Sequence, residues 1–185
     1  DVRLKDGNAQ KHEYDVSIGT LATRIFSEGP LVKNRMTYMV SYRRSNTDLF
    51  MRPITSAKSG GNKITSYGFY DLNTKITWKL ADKDKVSVLL YTGRDKLLFL
   101  EKYAEGEQNQ GHSNDRYVIR WGNIVGSLNW NHLLNDHTFL ESKVGYTRFQ
   151  YEVENKYDYS SQEENFNTHN LFISGIQDFS ATSTL

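Results

Sequence analysis

The sequence predicts an all-β fold, an antiparallel up-and-down sheet of about eight strands of the transmembrane β-barrel kind. Three observations predict it. First, Tyr70–Leu80 splits into two interleaved sets. Tyr70, Leu72, Thr74, Ile76, Trp78 and Leu80 are apolar apart from one threonine, whereas Asp71, Asn73, Lys75, Thr77 and Lys79 include no apolar residue. A period of two gives a strand one oily face and one wet face. Second, short and long connections alternate along the chain, as at the two rims of a membrane barrel. Third, aromatic residues stand at a constant distance from the short turns, where a membrane interface would place them.

Each strand has its own signal. Lys11–Gly19 and Leu21–Pro30 flank a tip at Gly19-Thr20, although residues 11–28 also read as one long strand. Met36–Asp48 follows the turn residues Lys33-Asn34 and opposes Ser41 and Arg43 to Val40 and Tyr42. Ser66–Leu80 holds the alternation described above, and the turn ADKD leads into Lys85–Asp95. In Arg116–His132, Asn123, Ser127, Asn129 and Asn131 alternate with Ile124, Gly126, Leu128 and Trp130. In Thr138–Asn155, Glu141, Lys143 and Thr147 alternate with Leu140, Val144 and Tyr146. Phe166–Ser180 is ambiguous in its facing, with Leu171 and Ile173 on one parity and Phe172 and Ile176 on the other. Abundant Tyr, Thr, Val and Phe, with proline only at Pro30 and Pro53, favour strand throughout. A helical turn is expected only around Lys96–Glu107, inside a loop.

Short turns are expected at Leu31–Arg35, Ala81–Asp84 and Leu133–His137, and long polar loops at Thr47–Thr65, Lys96–Asp115 and Lys156–Asn165. Trp78 and Trp130 each lie three residues before a short turn, and Tyr38 lies three residues after one. With Tyr70 at the far end of the oily face, these four form the expected membrane-facing girdle. From Trp78 to Tyr70, eight residues at ~3.3 Å and a tilt of ~40° rise about 20 Å, close to the apolar band of an outer-membrane barrel. The expected lumen-facing residues are Arg43, Asp71, Lys75, Lys79, Glu141 and Lys143.

Composition excludes several functions. Lys+Arg is 23 and Asp+Glu is 22, so bulk charge does not recruit nucleic acid. No cysteine is present, which removes disulfides and thiolate metal sites. No apolar run approaches the ~20 residues of a membrane helix. No signal peptide is visible at Asp1, so the chain reads as mature, cytosolic or cut from something larger. A mean hydropathy of −0.66 is polar even for a soluble protein. Nothing reads as catalytic, and no cofactor is implied. His12, His112, His132, His137 and His169 have no metal spacing, and His132 and His137 are expected to be solvated. No G-x-S-x-G occurs, and Ser59-Gly60-Gly61-Asn62 lacks the Lys-Ser/Thr of a phosphate loop, so it reads as a flexible tip. The long loops carry acid: Glu152, Glu154 and Lys156–Asn165 hold five acidic residues against one lysine. Glu101, Glu105, Glu107 and Asp115 stand against Lys96, Lys102 and Arg116. Plain solvation of these loops is favoured over the gathering of divalent cations near lipopolysaccharide.

Several stretches taken in order carry a resemblance. DVRLKDGN, EGPLVKNR, MTYMVSYRRSNTDLF, YGFYDLNTKITWKL and VSVLLYTGRDKL resemble the start of the barrel in TonB-dependent outer-membrane receptors. The resemblance covers most of the first 100 residues. It implies that residues 1–10 are the tail of a plug domain and that residues 11–185 are the N-terminal part of a barrel of about 22 strands. It implies energy-coupled uptake of a nutrient across the bacterial outer membrane. The implied partners are the lipid bilayer with its lipopolysaccharide and a TonB-type coupling protein acting on the plug. A surface lipoprotein is a further partner the resemblance admits. On this reading Arg43 contacts the plug or forms a wall salt bridge. Only the plug's last residues match, and TSTL is not the terminal aromatic of a complete barrel, so a fragment of a larger transporter is expected.

Two other functions fit the pattern. A complete eight-stranded barrel with a structural or adhesive role would need Arg43, Lys75, Lys79, Lys143, Asp71 and Glu141 to pair among themselves. A soluble β-barrel or sandwich would bind a ligand within an apolar core.

Overall fold

The computed structural model describes residues 4–104, 111–135, 138–161 and 164–185. Eight strands run in chain order: β1 (Glu13–Ile18), β2 (Ala22–Val32), β3 (Met36–Ser45), β4 (Lys63–Ala81), β5 (Asp84–Ala104), β6 (His112–Asn135), β7 (Thr138–Ser160) and β8 (Asn165–Thr184). One helix, α1 (Thr47–Lys58), connects β3 to β4. Each strand pairs antiparallel with the next, giving a single up-and-down sheet in the order β1 to β8. The sheet is not closed: β1 and β8 are its two edges. A complete eight-stranded barrel is therefore not what these strands build.

The described residues do not form the apolar core that a soluble ligand-binding barrel would need. Among the described residues only Met39 and Val118 are buried hydrophobics, while Val88, Leu90, Leu128, Val144 and many others are exposed. Among the described residues nothing packs against the oily side of the single sheet layer.

Residues 11–28 form two strands, not one, with β1 and β2 joined at a tip that Gly19 closes by donating to the Ala22 carbonyl (2.9 Å). The turn after β2 places Asn34 at φ 59°, a left-handed conformation that asparagine tolerates better than most residues.

Two expectations about loops are overturned. Lys96–Asp115 and Lys156–Asn165 are largely strand. β5 continues to Ala104 and β6 begins at His112, while β7 continues to Ser160 and β8 begins at Asn165. The run Leu97–Leu100 pairs with Arg116–Ile119, so β-prone residues extend the hairpin past the point where polarity suggested a loop. The expected helical turn near Lys96 is strand as far as Ala104; residues 105–107 lie outside the described residues. Helix occurs instead in Thr47–Lys58, with Asp48 in its first turn and Lys58 in its last. Pro53 inside it hides the signal. Gly60 (φ 61°) and Gly61 (φ 88°) then turn the chain back into β4, a backbone few other residues adopt.

Register defines two faces. Residues 4–8 lie against one, here the inner face: Lys75 Nζ donates to the Leu4 carbonyl (2.7 Å) and Thr77 Oγ1 to Asp6 (3.0 Å). The opposite side is the outer face. β6, with 24 residues, extends about 60 Å along the sheet axis at a tilt near 40°.

Candidate functional site

The outer face carries an apolar band, interrupted in its upper row by Arg148 of β7, the register partner of Ile124. Its lowest row runs Met36, Trp78, Val86, Trp130 and Ser142 across β3 to β7. Trp78 and Trp130 thus share one level, with Val86 between them. The Trp130 indole N–H donates to Asp84 (2.9 Å) at the turn, so its polar edge points to the rim and its ring to the band. Asp84 also pairs with His132 (2.8 Å), so this histidine is engaged at the rim; His137 lies outside the described residues.

Tyr38 does not share the tryptophan level. It pairs with Ile76, two residues higher, in the row Tyr38, Ile76, Val88, Leu128, Val144. Its hydroxyl meets Ser27 (2.9 Å) and His12 (3.2 Å). The stagger between neighbouring strands, which pairs Met36 with Trp78, lifts Tyr38 above the level that its distance from the turn implies. Tyr70 lies in the row Arg44, Tyr70, Arg94, Gly122 and closes the band at its upper end.

The inner face is polar at these levels. Asp6 is its centre. Its carboxylate bridges Lys75 (2.8 Å) and Lys85 (2.5 Å). Partial burial pushes the Asp6 carboxyl up, but hydrogen bonds and charge from Lys75 and Lys85 outweigh this and bring it down to about 2. Lys5 pairs with the buried Glu28 (2.8 Å) one strand away. Gly7 permits the close approach of this segment: a Cβ there would lie 2.1 Å from the Tyr38 carbonyl oxygen.

Arg43 and Asp71, register partners on β3 and β4, form an ion pair (2.7 Å), and Arg43 also lies over the Phe69 ring (5.0 Å). Arg44 points to the other face and pairs with Asp48 of α1 (3.2 Å). Lys75 joins Asp6, and Glu141 accepts from Asn129 (2.9 Å). Lys79 and Lys143 stand on the inner face with no ion pair among the described residues. The six expected inner residues therefore share a face but do not converge on one site.

Above the Tyr70 row the character of both faces changes. Outward positions gain charge: Arg94, then Lys96, Arg120 and Glu152, then Glu154 beside Leu98 and Val118, then Arg116 and Lys156 beside Leu100. Inward positions gain aromatic and aliphatic residues, with Asp95 among them. Phe69, Trp121 and Tyr151 are followed by Tyr67, Leu97, Ile119 and Val153. The Tyr67 and Trp121 rings stack at 6.3 Å. Glu152 and Glu154, counted with the acidic loop that follows their expected strand, both engage Arg120. Glu105, Glu107 and Glu163 lie outside the described residues.

The Asp6 cluster and the charged outer rows escaped the sequence reading. Asp6 lies about 70 residues from its partners and has no local signal. The outer rows had one: Arg94 and Lys96 continue the parity of Val86, Val88 and Leu90.

Among the described residues no group of three or more His, Cys, Asp or Glu is placed to hold a metal ion, and no helix is long and apolar enough to cross a membrane. The chain has no significant match among protein-family models, curated proteins or solved structures.

Proposed function

We propose that this chain is part of the wall of a bacterial outer-membrane transporter of the TonB-dependent type, in which energy-coupled nutrient uptake proceeds past a plug. The observation that carries the reading is the outer face. It has an uncovered apolar band bounded by a tryptophan row below and charged rows above, the profile a bilayer requires. Eight residues separate the two boundaries, about 20 Å at the tilt of such strands. The polar inner face then lines a wet lumen. Residues 4–8, clamped there by Lys75 and Lys85, are the end of the plug where the chain enters the barrel. The unpaired edges of β1 and β8 are satisfied by further strands of a barrel of about 22. Transport specificity and contact with a TonB-type coupling protein or a surface lipoprotein belong to parts of the transporter beyond this sheet.

An immunoblot of separated membrane fractions, with antibody to this segment, tests the reading. A barrel of about 22 strands at this strand length needs roughly 550 residues before any plug. The expected band is several times larger than 21.4 kDa and lies in the outer-membrane fraction. A band of 21.4 kDa there refutes the larger barrel. A band in the soluble fraction refutes the lipid-facing band itself.

A further inference from the structure

Asp95 of β5 lies on the inner face above the Tyr70 row, between two aromatic register partners, Phe69 on β4 and Trp121 on β6. The Tyr67 hydroxyl donates to its carboxylate (2.6 Å), and the Tyr67 ring stacks on Trp121. Asp95 is half-buried and makes no ion pair among the described residues. Other inward acids do: Asp6 holds Lys75 and Lys85, Glu28 holds Lys5, Asp71 holds Arg43 and Glu101 holds Lys63. Some lack a cation, Asp115 among them, but of the described inward acids only Asp95 lies between two rings of its row.

The neighbouring acid shows what such a place accepts. Asp71 pairs in register with Gly93, two residues before Asp95. It binds the Arg43 guanidinium at 2.7 Å, and the same guanidinium lies over the Phe69 ring at 5.0 Å. A guanidinium is planar: its edge forks onto a carboxylate while its flat face rests on a ring. Asp95 repeats the arrangement one strand further, with Trp121 as the ring and no cation. Between them the two carboxylates carry two negative charges against the single positive charge of Arg43. A half-buried carboxylate with one phenol donor keeps acceptor capacity, and a cation brought to it stabilises its charged form.

We propose that Asp95 and the Trp121 ring bind the guanidinium group of a solute in the lumen, as Asp71 and Phe69 bind that of Arg43. The proposal rests on the reading of the inner face as a wet lumen wall, and it adds the chemical class of ligand that this part of the wall takes. Charge selects a cation over an anion, because the added partner meets one carboxylate directly and a second close by. Shape selects guanidinium over a compact ammonium, because only a flat cation stacks on the ring and forks onto the carboxylate together.

The test uses the full native chain in detergent, titrated by calorimetry with three probes. They are agmatine, the peptide Ala-Arg-Ala, and the same peptide with citrulline, whose urea group has the shape of a guanidinium without its charge. Both guanidinium probes should bind, and the citrulline peptide should bind about tenfold more weakly or worse. Asp95→Asn keeps the size of the side chain and an acceptor for Tyr67. It should weaken both guanidinium probes about tenfold and leave the citrulline peptide unchanged. Should Asp95→Asn fail to fold, Trp121→Phe and Trp121→Leu serve: the first keeps a ring and should retain most of the affinity, and the second should lose it. Equal affinity for agmatine and the arginine peptide assigns the site to small guanidinium compounds, and tighter binding of the peptide assigns it to peptides carrying arginine; both support the proposal. No binding of either guanidinium probe overturns it, as does equal affinity for the arginine and citrulline peptides, or unchanged affinity in Asp95→Asn. Acrylamide, a water-soluble quencher, separates the two readings through Trp121 fluorescence in a variant lacking Trp78 and Trp130. Quenching without probe binding fails the guanidinium proposal alone, and a Trp121 that acrylamide does not reach fails the lumen reading with it.

Discussion

Replacing Asp6 by asparagine should release the N-terminal segment from the inner face. In the native protein its carboxylate holds two lysines from neighbouring strands, at 2.8 Å on Lys75 and 2.5 Å on Lys85, and accepts from Thr77. Its carboxyl lies at about 2 rather than at the ordinary 3.8. Unscreened, that difference is worth roughly 2.5 kcal/mol. Asp6 is 39% exposed, so solvent screening reduces the figure to about 1 kcal/mol. About 1 kcal/mol makes local opening roughly fivefold more frequent. Hydrogen exchange read by mass spectrometry on a peptide spanning residues 4–10 of the full chain reports this directly. Exchange there should rise about fivefold in Asp6→Asn, with β6 and β7 unchanged. The pH dependence follows from the sign of the shift. A carboxyl lowered in the folded state contributes stability that is fully present above its ordinary value and is lost as pH falls through about 2. Cleavage of the segment by pepsin, which works in acid, should therefore increase between pH 4 and pH 2 in wild type and be flat in Asp6→Asn. Exchange in the variant indistinguishable from wild type would refute the argument that this carboxylate clamps the segment.

Three further outcomes are expected. Gly7→Ala should displace the same segment, because the new methyl would meet the Tyr38 carbonyl at 2.1 Å; exchange over residues 4–10 should rise while Asp6 itself is intact. Leu128→Arg, in the middle of the band, should cost about 2–4 kcal/mol in urea unfolding from vesicles, whereas Ser127→Arg, one residue away on the inner face, should cost well under half of that; equal costs would mean that lipid does not distinguish the faces. Brominated lipid should quench Trp78 and Trp130, each read in a variant lacking the other two tryptophans, and leave Trp121 bright, since Trp121 is on the inner face. Strong quenching of Trp121 would reverse the assignment of faces.

Much of the sheet was legible because alternation is a local property. The two sets in Tyr70–Leu80 need only adjacent residues to be recognised, and pairing keeps them on opposite faces. The common level of Trp78 and Trp130 was legible for the same reason, because each sits close to a tight turn that sets the register of its strand. Tyr38 failed that test because β3 is staggered against β4, so that Met36 pairs with Trp78. Strand lengths were misread because the run Leu97–Leu100 breaks the alternation, and only its partners on β6 reveal it as strand. α1 was masked by Pro53, although its acidic start, basic end and Gly60-Gly61 stop were all present in the sequence. The Asp6 clamp depends on contacts between distant segments, which no local pattern contains.

The gain of charge on the outer face above Tyr70 gives β5 to β7 a position along their own length. Alternation alone fixes which side chains face outward, but a slip of two residues preserves it. In β5 such a slip in one direction would lower Arg94 from the boundary row into the row of Thr92 and Ile124, where Arg148 already supplies a cation. A slip the other way would raise Val86 out of the tryptophan row and draw residues of the turn in behind it. The first move crowds like charge at the upper margin of the band, and the second takes the apolar residue from between Trp78 and Trp130. The change of character therefore works as a stop at each end of travel, keying neighbouring strands to one another.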